Sequence, residues 1–276
     1  MATTQPNITS FSSANGATVT VDGMNAQVEN ASRSYSLTEP DSNTLRFEVQ
    51  SGDAWPNDVR NGNTSERSEI DMIPTYSPNT QINVSYGFTL EPGAANTASW
   101  MVLGQIHNTI LGGSPPVAVA MYGEHMVVIA RGPSGAENDV YTDPNPIQRG
   151  HQYQMNMQVD FGSNGNGTLK VWRDGVEIVN YSGPLGSGTS NESYYWKEGV
   201  YRAPATETVA ADYSNLQITT GPAAAPISGT TTSSSGGTSS GGTSSSDPTS
   251  GGASVTTPTG TTSSGTTTGS AATSSG

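Results

Sequence analysis

The run Lys170–Val179, KVWRDGVEIV, reads as two short strands joined by the two-residue turn Asp174-Gly175. Asp-Gly between alternating runs is a strong hairpin signal, because a type I′ turn needs positive φ at both central positions and its twist matches that of paired strands. The same grammar holds outward from this hairpin. Apolar residues recur with period two, turn residues break the pattern at intervals of roughly ten positions, and no segment keeps a helical period over three turns. Strands are expected at 17–21, 44–49, 66–72, 82–90, 99–107, 117–122, 126–131, 152–161, 169–173, 176–181 and 212–219. So many short antiparallel strands predict an all-β fold, a two-sheet β-sandwich of jelly-roll type in which one sheet curves into a concave groove.

The composition divides the chain. From about Thr220 the sequence is Gly, Ser, Thr, Pro and Ala apart from Ile227 and Val255, with Asp247 its one charge, so residues 220–276 are expected to form a disordered linker or tail that could tether another module. Residues 1–219 then make one domain, large enough for a single sandwich core. With a net charge of −13 over 276 residues, nucleic acid is excluded as a natural partner and anionic membranes are disfavoured; no apolar run is long enough to span a bilayer. The absence of cysteine excludes disulfides and thiol chemistry. A monomer is expected.

Three stretches carry residues that a core would not choose. In Ser193–Arg202, SYYWKEGVYR, strand alternation puts Tyr195, Lys197 and Tyr201 on one face with Gly199 between them, and Trp196, Glu198, Val200 and Arg202 on the other. Two phenols and an ammonium suit an anionic sugar, and Gly199 leaves a gap through which a ligand could approach the backbone. The same row would also fit a solvated edge strand. In Glu66–Asp71, ERSEID, Arg67, Glu69 and Asp71 share a face, either as a solvated ion-pair row or with Arg67 poised to pair with a carboxylate and Glu69 holding the guanidinium. In Gly104–His107, GQIH, Gln105 and His107 share a face, and strict alternation would put Met101 and Leu103 on it too. His125 and His151 sit in loop-like sequence.

Together, RSEI at Arg67–Ile70, QIH at Gln105–His107 and YWKEGVY at Tyr195–Tyr201 resemble the signature strands of jelly-roll polysaccharide lyases, the heparin lyase I-like and glucuronan lyase group above all, with motifs shared by family 7 alginate lyases. The resemblance runs from about Val21 to Thr219. It implies that Arg67 and Gln105 neutralise a uronate carboxylate, that His107 acts as base, that Tyr201 acts as acid or as both acid and base, and that Lys197 binds substrate. Tyr195, Glu69 and Arg202 are expected to complete the binding surface. One departure is Asp71, where alginate lyases usually carry a second arginine after RSE.

The chemistry fits these residue types. β-Elimination at a 4-linked uronate takes the C5 proton and expels the C4 oxygen, so it needs donors on the carboxylate, a base that works near neutrality and a proton for the leaving oxygen. A tyrosine beside the cation Lys197 could supply that proton. Arg67 and Lys197, joined by Arg60, Arg131 or Arg202, are expected to make a cationic groove, and an anionic polysaccharide, glucuronan or alginate first, is the expected partner. No cofactor or metal is required; the Asp- and Asn-rich loops leave room for a structural calcium, although none has calcium-ligand spacing. An extracellular location is expected, although the opening MATTQPNITSF lacks the charged and apolar regions of a secretory signal. Two other readings compete. Glu69 and Asp71 resemble the ExDxxE strand of jelly-roll hydrolases, which would make a retaining glycosidase, but Pro74 stands at the third acidic position. A non-catalytic carbohydrate-binding module would use the same fold and aromatics.

Overall fold

Period-two patterning becomes two antiparallel sheets. The computed structural model describes residues 6–110, 113–189 and 191–226. The described residues form β1 (Ile8–Ser10), β2 (Thr18–Val21), β3 (Met24–Asn30), β4 (Leu37–Asp41), β5 (Thr44–Val49), the short helix α1 (Pro56–Arg60), β6 (Glu66–Met72), β7 (Ile82–Leu90), β8 (Met101–Asn108), β9 (Val117–Tyr122), β10 (His125–Arg131), β11 (Glu137–Thr142), β12 (Gln152–Phe161), β13 (Asn166–Arg173), β14 (Val176–Pro184), β15 (Tyr194–Arg202) and β16 (Val209–Thr220). A nine-stranded sheet runs β1-β2-β3-β6-β15-β8-β9-β10-β11, and a seven-stranded sheet runs β14-β13-β12-β7-β16-β5-β4. This is the jelly-roll sandwich that the patterning predicts. The last strand ends at Thr220, and of the tail residues 227–276 lie outside those described.

The hairpin forms as read: Asp174 and Gly175 have φ of 53° and 76°, and Arg173 pairs with Val176. Strand β5 buries alternate residues, Leu45, Phe47 and Val49, and β12 does the same with Tyr153, Met155, Met157, Val159 and Phe161. Between the sheets, Tyr213 sits 5.4 Å from the rings of Phe47 and Phe88 and 5.8 Å from Tyr86, which in turn lies 5.4 Å from Trp196. Fully burying such a ring contributes on the order of 2–3 kcal/mol.

Two irregularities in the nine-stranded sheet set which side chains leave the core. Along β8 the pairing with β9 steps from Val102↔Ala120 to Gly104↔Val119, and along β15 the pairing with β8 steps from Glu198↔Gly104 to Tyr201↔Val102. Each step is a bulge with an extra residue, and on β8 it reverses the alternation, whereas β15 keeps its parity. Met101 and Leu103 therefore point into the core while Gln105 and His107 point out, which corrects the expectation of one shared face. At β15 the bulge falls on Gly199, at φ 136°, where a Cβ would come within 2.2 Å of the Ser68 carbonyl oxygen and 2.7 Å of Glu69 Cα. The space beside this glycine is filled by β6, and no ligand could use it. The Tyr213 hydroxyl of the opposite sheet reaches the carbonyls of both Leu103 and Gly199, so the core satisfies backbone groups at each bulge.

Candidate active site

Three adjacent strands at the middle of the nine-stranded sheet, β6, β15 and β8, carry the three sequence motifs. Tyr201 pairs with Arg67, Gly199 with Glu69, and Lys197 with both Asp71 and Gln105, while Tyr195 pairs with His107. The outward face of such a sheet is ordinarily wet, yet Arg67, Gln105 and Lys197 are 8%, 2% and 4% exposed. They form the floor of a groove of about 770 Å³, walled by Trp55 and Asp58 around α1, by Trp100, and by Tyr122 and Arg131 from β9 and β10. His107, Tyr195 and Tyr201 line the same groove.

Buried cations need partners, and the floor supplies them. Glu29 of β3 places Oε2 2.7 Å from Arg67 Nη1 and 2.5 Å from Lys197 Nζ. Glu69, with no exposure, lies 3.3 Å from Arg67 and 3.4 Å from Lys197 and accepts from Gln105 Nε2 at 2.7 Å. Asp58 Oδ2 is 3.1 Å from Arg67 Nε. The Arg67 guanidinium lies 3.9 Å from the centre of the Tyr201 ring and 5.0 Å from that of Trp55, so aromatic faces hold it from above. Asn63 Nδ2 donates to the Tyr201 hydroxyl at 3.3 Å.

These contacts set the protonation states. Burial works against the charge on Lys197 and on Arg67, but Glu69 and Glu29 outweigh it and raise both. Burial also opposes the charge on Glu29, and Lys197 and Arg67 outweigh it, holding that carboxyl below its ordinary value. Asp71 lacks such close cations, and burial pushes it up to about 7. Burial pushes the Tyr195 phenol up to about 12, with Asp71 adding to the rise. His107 is lowered by burial, against the opposing pull of the Asn108 backbone, so its imidazole is neutral at pH 7. Its Nδ1 lies 3.0 Å from the Asn108 carbonyl oxygen, and its ring stacks on Tyr195 at 5.6 Å.

Arg67, Gln105, His107, Lys197, Tyr195 and Tyr201 thus converge in one groove. Two predicted residues stand elsewhere. Arg202 is fully buried, pairs with Glu66 at 2.8 Å and Glu207 at 3.3 Å, and does not line the groove; an odd number of residues from Tyr201 turns it to the interior. Glu69 lies beneath the floor and positions the two cations and Gln105 rather than meeting a ligand. The expected cationic groove is corrected as well. Arg131 lines it but is paired with Glu137, Arg60 lies outside, and Glu29, Asp58 and Asp71 offset Arg67 and Lys197. Glu29 and Asp58 went unread in the sequence, although alternation of Ala26 and Val28 with polar neighbours marks β3 as a strand with Glu29 facing out. Among the described residues no cluster of three or more His, Cys, Asp or Glu could hold a metal ion, and no helix is long and apolar enough to cross a membrane.

The fold has counterparts. Solved structures with the same fold include an endo-β-1,4-glucuronan lyase from the fungus Trichoderma reesei (TM-score 0.52, 12% identity, covering 70% of this chain and 86% of that one). An alginate lyase from Pseudomonas aeruginosa gives TM-score 0.51 at 20% identity, covering 68% and 87%, and one from Corynebacterium sp. gives 0.52 at 13%, covering 68% and 82%. No curated protein sequence matches the chain. The sequence matches the family described as polysaccharide lyase over residues 13–218, a span that takes in the three motif strands and the groove they floor, and the chain belongs to that family.

Proposed function

We propose that this polysaccharide lyase cleaves a 4-linked uronate polymer by β-elimination, with glucuronan ahead of alginate. The observation that supports the reading is the meeting of Arg67, Gln105, Lys197, His107 and Tyr201 on one groove floor. Arg67 and Gln105, with Lys197 beside them, take the uronate carboxylate and stabilise the enolate-like charge that grows when the C5 proton leaves. Glu29, Glu69 and Asp58 hold these donors in place before substrate arrives, so little reorganisation accompanies the reaction.

Proton transfer falls to Tyr201 and His107. In a glucuronate the C5 proton and the C4 oxygen lie on one side of the ring, so Tyr201, beside Arg67, takes the proton and returns one to the leaving oxygen. In the C5 epimer they lie on opposite sides, and His107 takes the proton while Tyr201 serves as acid. This role requires the tautomer in which Nδ1–H donates to the Asn108 carbonyl oxygen, 3.0 Å away, and Nε2 keeps its lone pair; the Asn108 N–H, 2.8 Å from the same Nδ1, favours the other tautomer. Asp71 stands where alginate lyases usually carry a second arginine, and its charge argues against alginate. A substrate too large to enter a cell puts the enzyme's work outside it. The glycosidase alternative meets an obstacle in Glu69, which is buried beneath two cations and an amide and has no path to a glycosidic oxygen.

The test is the product. Elimination leaves a C4=C5 double bond conjugated to the carboxylate, which absorbs ultraviolet light; hydrolysis does not. Glucuronan should yield that absorbance, and Tyr201→Phe should lower the rate by about 10²-fold or more while sparing binding. Reducing ends released without absorbance would refute the lyase mechanism, and binding of uronate polymers without cleavage would favour a binding module.

A further inference from the structure

The groove carries an unusual charge for a protein that handles polyanions. Its lining holds Arg67, Lys197 and Arg131 against Glu29, Asp58, Asp71 and Glu137, with Glu69 directly below. Each of the three cations already has a carboxylate partner, and those of Arg67 and Lys197 are shared and buried. Free capacity for anions is therefore confined to the spot between Arg67, Lys197 and Gln105.

Away from that spot the surface changes character. Towards β9 and β10 the floor is Val102, Ala120 and Ile129, part of an outward-facing apolar cluster, with Tyr122 packed on it. In the other direction, past Asp71 and Tyr195, a smaller pocket of about 220 Å³ is lined by Gln27, Met72, Ile73, Thr75 and Thr109, and among the described residues it holds no cation. Apolar patches, amides and hydroxyls suit the faces and hydroxyl groups of uncharged sugars. A homopolyuronate would put a carboxylate on every sugar, within a Debye length of Asp71, Asp58 and Glu137.

We infer that the enzyme's substrate is a polysaccharide whose uronates are spaced by neutral sugars, with a single carboxylate seated on Arg67, Lys197 and Gln105 and uncharged residues in the flanking subsites. This rests on the lyase reading above and revises its substrate order, glucuronan being cleaved but not the preferred polymer. It makes Asp71 the residue that penalises a neighbouring uronate.

The probe is glucuronan and a series in which a growing fraction of its carboxylates has been reduced to hydroxymethyl groups, which keeps the backbone and linkage while thinning the charge. Ultraviolet-absorbing product is measured at about pH 8, where Asp71 is ionised. Removing one repulsive neighbour should raise kcat/KM per remaining uronate by about threefold, and added salt should narrow the gap. Asp71→Asn should raise the rate on unmodified glucuronan more than on the reduced polymers. A kcat/KM per uronate that falls on reduction, with glucuronan itself cleaved well, overturns the inference and leaves the lyase reading standing. Absence of absorbing product from every member of the series overturns both.

Discussion

Glu69→Gln is the sharpest test of how the site is built. The carboxylate has no exposure and lies 3.3 and 3.4 Å from two cations. At an effective dielectric constant of about 20 each contact is worth about 5 kcal/mol of Coulomb attraction. Desolvation of the three ions offsets most of that, and breaking a buried pair typically costs about 3–5 kcal/mol. Glu29 stays on both cations in the variant, and Gln105 can still find an acceptor in the new amide, so the lower end, about 3 kcal/mol, is expected. For a domain of this size that is a fall of roughly 6–12 °C in Tm. Thermal melts and urea titrations measure it directly. Adding Lys197→Met should recover part of the loss, because one of the two stranded cations is gone, and the cycle should give a coupling of about 1 kcal/mol or more. A loss under about 1 kcal/mol, or no coupling to Lys197, would show that Glu69 does not organise the floor.

Other outcomes follow from the same contacts. Glu198 is buried in the core with, among the described residues, the Trp196 indole N–H, 3.1 Å away, as its one hydrogen-bond partner, and burial pushes it up to about 7. Its folded pKa lies above the unfolded one, so the stability it contributes is complete below about pH 4.5 and is lost as pH rises through 7, by up to about 3 kcal/mol; Glu198→Gln should flatten that part of the Tm–pH curve. Gly199→Ala should destabilise severely, since φ 136° and a contact of 2.2 Å to the Ser68 carbonyl leave no room for a methyl; normal yield and Tm would contradict the bulge. On a polymer that relies on His107 as base, the acid limb of kcat/KM should have its midpoint below 6.5, because burial lowers that imidazole and only the neutral form accepts a proton. His107→Gln should remove the limb together with most of the rate, whereas on glucuronan it should cost less than Tyr201→Phe.

What the sequence made legible is what depends on local rules. Asp174-Gly175 demanded positive φ at two successive residues, and the structure has it. Strands such as Thr44–Val49 and Gln152–Phe161 announced themselves through alternation, and the motif rows of Arg67 and Lys197 kept their parity. Strict alternation failed at β8 because a bulge is decided across the sandwich: Gly104 leaves room for Trp196, whose ring would lie 2.7 Å from a Cβ there, and the Tyr213 hydroxyl takes the carbonyl beside it. Glu29 stayed hidden for another reason. Its partners Arg67 and Lys197 are 38 and 168 residues away, and it lies on a strand rich in Asn, Gln and Glu, residues that weaken the strand signal. Arg202 shows the limit of a motif, since its charge is spent inside the fold on Glu66 and Glu207.

The carboxylates around Arg67 and Lys197 solve a folding problem and shape catalysis at once. Two cations buried side by side in the middle of a sheet, with no anions, would cost several kcal/mol in desolvation and repulsion. Glu29, Glu69 and Asp58 remove that cost, but they also weaken the field a substrate carboxylate meets on arrival. In the proposed reaction, ground-state binding through the carboxylate is therefore modest, and the flanking sugars contribute more of it. As the C5 proton departs in that proposed step, charge builds on the carboxylate oxygens, and fixed cations that cannot relax away respond to the added charge in full. The arrangement favours the transition state over the bound substrate, which places the enzyme's advantage in kcat and leaves KM to the uncharged parts of the groove.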